Sequence, residues 1–414
     1  MAAAPPPSAP GPVDRDGARR AWGLAVAIFA VAFGTNVPTA LLLRYRELLE
    51  LSPTMVTVVF ATYAAGLVPA LLLAGPFSDR RGRRTAVLPF VVVAGVASVI
   101  LLVGASTSLT ALLAGRFLQG VVSGVVFSVG SAWLAELVPD AGAASRRASA
   151  SMSLGFALGP LSAGFLGQFA PLPDVLSYLV HLVFVAVAVA LVARAPETVR
   201  TRRVRERWIN LGVPPAARPA FLAFVVPAAL LVFTFPSIAV TVLPLGLETA
   251  MPGLELVATG LVAGVTLGVG VLIQPLAGRL GIARSAPIGA GSGALGLLLG
   301  AVAITLEQPL LLLPVSLLLG GGYGLSLPAG LTATQQLADP AHRGALVSTY
   351  LALTYLGFGA PVVLTAVSDD LDFVPAVLGF AAAALVATVW LTFGPGARWV
   401  AQRHAATRAG VAEG

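Results

Sequence analysis

Runs of about 20 apolar residues, the length a helix needs to cross a bilayer, recur twelve times along this chain. They lie near 22–43, 55–73, 86–104, 109–133, 148–169 and 175–193, then near 220–243, 257–280, 286–305, 309–332, 345–366 and 374–393. In hydrocarbon the backbone has to satisfy its own N–H and C=O groups, so such runs fold as helices. Only 10% of the 414 residues are charged, against about 25% in a soluble domain. An all-α integral membrane protein is expected, with the lipid bilayer as its medium.

Several function classes drop out. The chain has no cysteine, so disulfides and thiolate chemistry are excluded, and its three histidines are far apart, so no metal site is expected. It has no lysine, which rules out the phosphate-binding loop of an ATP-driven pump. No cluster of His or Asp at a membrane face suggests an enzyme, and nothing calls for a cofactor. The net charge of +7 is carried in short arginine clusters between apolar runs, which fits a membrane and not a nucleic-acid partner. Arginine as the sole basic residue, with abundant Ala, Gly and Val, points to a high-GC bacterial genome.

Charge placement sets the expected orientation. With both termini cytoplasmic, 22 of the 25 arginines fall on inside segments; Arg44 and Arg46 fall outside and Arg116 within a span. The outer loops hold Glu248, Glu255, Glu307, Asp369, Asp370 and Asp372. This is the positive-inside pattern, and a missed or extra span would scramble it. A bacterial cytoplasmic membrane location follows as the expectation.

The halves repeat. Pro76 and Pro275, Arg80 and Arg279, and Gly82 and Gly281 are each 199 residues apart, and each set follows the second span of its half. Gly120/Gly124 answer to Gly320/Gly324, and Gly159-Pro160 to Gly359-Ala360-Pro361. A nearly constant offset predicts two pseudo-symmetric six-helix halves. The expected organisation is a disordered tail (1–20), a first bundle (21–193), a basic linker (194–219), a second bundle (220–393) and a tail (394–414).

Between the second and third spans runs Gly75-Pro-Phe-Ser-Asp79-Arg80-Arg81-Gly82-Arg83-Arg84. Asp79 among four arginines can form charge-assisted hydrogen bonds or cap a helix, and Gly82 permits a sharp turn. The string resembles the loop motif of the major facilitator superfamily, with Phe77 in place of the usual Leu. The resemblance implies a twelve-helix transporter with a cytoplasmic gating latch built on Gly75, Asp79, Arg80, Gly82, Arg83 and Arg84. In the fourth span, Arg116-Phe-Leu-Gln119-Gly120 is similar to the pattern of drug:proton antiporters in that superfamily, which implies a part in proton coupling for Arg116, Gln119 and Gly120. A buried arginine is expensive, so Arg116 should face a cavity or partner, or snorkel to the near interface. In the fifth span, Gly155, Gly159, Pro160 and Gly164 resemble the antiporter signature, with Ala163 where Gly is preferred. Pro196-Glu197-Thr198 after the sixth span is a further family-like detail.

No Asp or Glu lies well inside any span, which departs from the antiporter pattern. The first span offers Thr35 and Asn36, and Asn36 cannot carry a proton. His181, expected near the outer end of the sixth span, titrates in a useful range, although a satisfied interfacial histidine is the commoner case. Candidate cavity residues are Asn36, Tyr63, Tyr323, Tyr350 and Tyr355, with Gln274 and Thr354 as further polar groups; some of these will make helix–helix hydrogen bonds instead. A neutral cavity with aromatics suits a lipophilic, neutral or weakly charged solute. The resulting expectation is a monomeric, proton-coupled exporter of drugs or small metabolites. The alternative is a uniporter or symporter importing a sugar or organic acid, which the missing carboxylate favours.

Overall fold

The computed structural model describes residues 15–138, 140–199, 213–337, 343–368 and 372–400. Residues 1–14 and 401–414 of the expected tails, most of the linker between the halves, and Asp369 and Asp370 lie outside these, while 15–20, expected in the disordered tail, form the first turns of a helix. The first half comprises α1 (Arg15–Ala40), α2 (Pro53–Arg81), α3 (Arg83–Gly104), α4 (Leu109–Leu137), α5 (Ala141–Phe169) and α6 (Leu176–Val192). The second comprises α7 (Val226–Gly246), α8 (Glu255–Leu280), α9 (Ile282–Thr305), α10 (Leu312–Leu337), α11 and α12 (Val374–Phe393). Helix α11 runs Arg343–Tyr355, tightens into a 3₁₀ turn at Leu356–Gly359 and resumes as Ala360–Ala366. Eleven of these are long and apolar enough to cross a membrane, and α6, with 17 residues, is the shorter one.

Local chemistry sets the helix ends. Ser52 caps α2 by accepting from the Met55 amide at 3.2 Å, with Pro53 in the first turn, and Ser108 caps α4 through the Ala111 amide. These side-chain oxygens satisfy N–H groups that a helix start leaves open. Gly82 (φ 103°) and Gly281 (φ 72°) each turn the chain between two helices in the positive-φ region, so the 199-residue repeat is a repeat of geometry. The first apolar run breaks at Leu41, and the chain continues as the short helix Leu42–Leu49. The expected span 22–43 therefore ends three residues early.

Small residues bring the helices together, as in other membrane bundles. A Cβ on Gly124 would stand 2.7 Å from the Leu67 carbonyl, which fixes α4 against α2; in the second half one on Gly320 would stand 2.5 Å from the Thr266 carbonyl, fixing α10 against α8. Gly155 sits against the Phe29 carbonyl of α1, and Gly357 against the Thr234 amide of α7. The apolar stretch of α1 is 83% buried and that of α12 only 22%, so α1 lies inside the bundle and α12 on its rim. One face of the molecule carries Arg80–Arg84 and Arg279 and is the basic face; the opposite, acidic face carries Glu47, Glu248 and Glu255.

Candidate functional site

Two prolines open the backbone of the helices that meet at the centre. Pro38 has no N–H, so the Gly34 carbonyl one turn earlier loses its helical partner, and Gln119 of α4 donates to it instead at 2.8 Å. In the second half Pro361 releases the Gly357 carbonyl in the same way, and the Ser237 hydroxyl donates to it at 3.0 Å. Gln119, a candidate for coupling, is thus first of all the donor that the Pro38 kink requires.

Arg116 is 1% exposed, so it does not snorkel. Its Nη1 donates to the Thr35 carbonyl at 2.7 Å and to Gln119 Oε1 at 3.0 Å, and its Nη2 to the Phe60 carbonyl at 3.2 Å. The guanidinium also lies 5.2 Å from the Tyr63 ring centre and 5.9 Å from that of Phe60, distances at which a cation is drawn to a ring face. One cation thereby ties α4 to α1 and α2. Gly120 lets α4 approach the Tyr63 backbone closely enough for this to happen.

These groups line a cavity between the halves, shared by Thr35, Asn36, Phe60, Tyr63, Arg116 and Phe156 from the first and Phe233, Pro236, Ser237, Val240, Leu267, Tyr355 and Phe358 from the second. Phe358 stacks on Phe60 across the interface at 5.0 Å, and Phe233 stacks on Tyr355 at 4.6 Å. Of the expected cavity residues, Asn36, Tyr63 and Tyr355 are on the wall. Tyr323 stands behind it, stacked on Phe233 at 5.5 Å. Tyr350 is not a wall residue: its hydroxyl donates to the Leu327 carbonyl at 2.7 Å, a bond between α11 and α10. The phenylalanines carried no signal in the sequence beyond the spacings Phe60/Tyr63 and Tyr355/Phe358, one helical turn each.

His181 is buried in the core and not interfacial. Its Nε2 lies 3.0 Å from the Ala30 carbonyl and its Nδ1 2.6 Å from the Ser98 hydroxyl, so a neutral ring donating from Nε2 satisfies both. Gly34 leaves the room that the ring fills.

Toward the acidic face the halves are shut. Arg46 pairs with Glu248, the Thr57 and Thr365 hydroxyls meet at 2.9 Å, and Gln168 Oε1 accepts from the Leu256 amide at 3.0 Å, capping α8 from the other half. Along α8, Gly260, Gly264 and Gly268 share one face, which packs on α5. A Cβ on Gly260 would be 2.5 Å from the Pro160 carbonyl, whereas one on Gly268 finds only Ala157 at 3.9 Å. The next two residues of that stripe, Leu272 and Leu276, are 81% and 41% exposed. The two helices therefore diverge toward the basic face. The helix 5 motif divides between two contacts: Gly155 and Gly159 face α1, while Pro160 and Gly164 face α8.

At the basic face, Arg83 pairs with Asp79 at 2.6 Å and Glu136 at 2.9 Å and donates to the Ser78 hydroxyl. The cap of α3 is supplied by Glu197, which accepts from the Arg83 and Arg84 amides at 2.8 and 2.9 Å, and not by Asp79, whose carboxylate is engaged with Arg83. Ser78, Asp79 and Glu136 belong to the first half and Glu197 to the start of the linker, so through Arg83 the motif braces the first bundle. Sequence reasoning missed Glu136 as part of it. Gly75 has open space where a Cβ would be.

The sequence model of the Major Facilitator Superfamily matches residues 22–362. Multidrug resistance protein MdtL of Escherichia coli (strain K12 / DH10B) is 35% identical over 92 residues, which cover 22% of this chain and 23% of that protein. The same figures hold for MdtL of Shigella boydii serotype 18 (strain CDC 3083-94 / BS512), so the match spans under a quarter of these relatives' length. Among solved structures, the peptide transporter POT in complex with sulfate superposes with a TM-score of 0.79 at 15% identity, over 92% of this chain and 95% of that one. The nucleoside transporter NupG does so with a TM-score of 0.74 at 14% identity, over 90% and 98%. At these identities the likeness concerns the fold.

Proposed function

The chain belongs to the Major Facilitator Superfamily, and we propose that it is a proton-coupled exporter of drugs or small metabolites working by alternating access. It is a multi-pass membrane transporter and not an enzyme. The observation that carries the export reading is the helix 5 string in its structural setting. Pro160 and Gly164 form the seam with α8 at the acidic face, and α8 swings clear of α5 beyond Gly268. With the basic face cytoplasmic, this conformation loads solute from inside. The partial match to a multidrug resistance protein supports the same direction.

In this reading the bundles 21–193 and 220–393 rock about the central cavity, joined by the basic linker 194–219, in a bacterial cytoplasmic membrane with both termini inside. The chain works as a monomer. The Asp79–Arg83–Glu136 network latches to the second half when the basic face closes. Arg116 keeps its proton at any physiological pH, so its part in coupling is that of a fixed positive charge.

Inverted vesicles energised with respiratory substrate test the reading: solute should accumulate inside, and a protonophore should abolish it. Accumulation that ignores the protonophore would overturn the coupling. The second reading, an importer by uniport or symport, is favoured by the wall of the cavity, among whose residues there is no Asp or Glu. It predicts that replacing Gly159 and Pro160 leaves export by expressing cells unchanged.

A further inference from the structure

A guanidinium has five N–H donors, and three of those on Arg116 are taken by the Thr35 carbonyl, Gln119 Oε1 and the Phe60 carbonyl. Nε has no partner, and one hydrogen on Nη2 is left over. A carboxylate that pairs side-on with a guanidinium uses Nε–H together with a hydrogen of one terminal nitrogen. The Tyr63 ring, on the same wall, lies 5.2 Å from the guanidinium. Unsatisfied donors in a dry interior are expensive and uncommon, and here they belong to one cation on the wall of the cavity, with no acidic wall residue beside it. The remaining wall is dominated by rings from both halves, with Phe60, Phe156, Phe233 and Phe358 among them.

We propose that this cavity selects a monoanionic aromatic acid, its carboxylate paired with the Arg116 guanidinium and its ring among the phenylalanines. The inference rests on the reading of the cavity as the transport site, and it replaces a lipophilic neutral solute by an anionic one. A cation would meet Arg116 with no acidic wall residue to offset the repulsion. A neutral amide would leave the guanidinium unpaired, and a site built to hold a polar group discriminates strongly against the analogue that lacks it.

The test is a calorimetric titration of the full chain in lipid nanodiscs with three probes of one shape: 2-naphthoate, 2-naphthamide and (2-naphthyl)trimethylammonium. Naphthoate should bind at least roughly tenfold more tightly than the amide, a difference well within reach of one bidentate charged pair, and the ammonium should bind most weakly. Arg116→Gln should bring naphthoate down to the level of the amide, and Arg116→Lys should recover part of the difference. If Arg116→Gln does not fold, the wild-type order alone decides. Equal affinities for the three probes, no binding by any, or tighter binding of the ammonium overturns the proposal. No gradient is present in this experiment, so an importer would give the same order. Failed export in vesicles with the order intact would sink the export reading and spare the anion site.

Discussion

A Cβ on Gly82 would lie 2.5 Å from a Glu197 carboxylate oxygen, and the φ of 103° at this residue is one that other L residues rarely adopt. Two constraints therefore meet at one position. The turn from α2 to α3 needs the positive φ, and the carboxylate that caps α3 needs the missing side chain. Gly82→Ala should destabilise the fold by about 1–3 kcal/mol through backbone strain and loosen the cap as well. Gly75→Ala is the control: its φ is not in the positive region and its Cβ would meet nothing within 4 Å, so helix propensity alone should leave stability unchanged or slightly raised. Thermal unfolding of the two variants in detergent checks this, and equal midpoints would contradict it. Gly82 and Asp79 were legible in the sequence because the turn and the ion pair are local. Glu136 and Glu197 were not, because they reach Arg83 and the α3 amides from 53 and 114 residues away.

At the scale of elements, the twelve apolar runs translated into twelve helices because hydrocarbon leaves the backbone no other satisfied state. The interruptions were harder to read. Pro38 and Pro361 were visible, but not the donors, Gln119 and Ser237, that compensate them from neighbouring helices. Nor could one sequence reveal that His181 packs beneath α1, since the room for it is made by Gly34 on a different helix. The glycines of α8 at 260, 264 and 268 went unremarked in the sequence, and the fold shows that they form a seam between the halves. That seam makes a prediction. Gly260→Val forces side-chain atoms onto the Pro160 carbonyl, a backbone atom that cannot rotate away. Overpacking of this kind costs about 1–3 kcal/mol, enough to shift a two-state equilibrium roughly 5–150-fold. The chain has no cysteine, so spin labels on Leu172→Cys and Leu254→Cys, exposed positions at the acidic ends of the two halves, report the separation without background. The distance distribution should move to longer values in Gly260→Val, and an unchanged distribution would refute the seam.

For the whole molecule, the proposed proton coupling calls for a titrating group, and the wall of the cavity holds no Asp or Glu whereas the acidic face holds Glu248. Glu248 pairs with Arg46 across the halves, yet it is pushed above its ordinary value, first by burial and then by Glu255 and Glu47, against the opposing pull of Arg46. The same polar pocket is lined by Arg44, Glu47, Gln168 and Glu255, and Arg44 is itself held by Asp174 at 3.3 Å. When the face opens, Glu248 becomes hydrated and returns toward the usual carboxylate range, near 4.3. A proton binds more tightly to the conformer with the higher pKa, so acidification favours closure. The gain is fully present below the hydrated value and is lost as pH rises through the raised one. With the spin-label pair at 172 and 254, the short-distance fraction should grow as pH falls through that window. Glu248→Gln should hold the closed state and flatten the pH response, while Arg46→Ala should move the response to higher pH, because the opposing charge is gone. A closed fraction that shrinks on acidification, or an unchanged slope in Glu248→Gln, would defeat the argument. Closure of the acidic face by protons arriving there is the return stroke an antiporter needs. Glu248 itself sits on the wrong side of the seal to release a proton to the basic face, so it biases the gate, and the carried charge has to be balanced at the cavity, where Arg116 is the fixed cation.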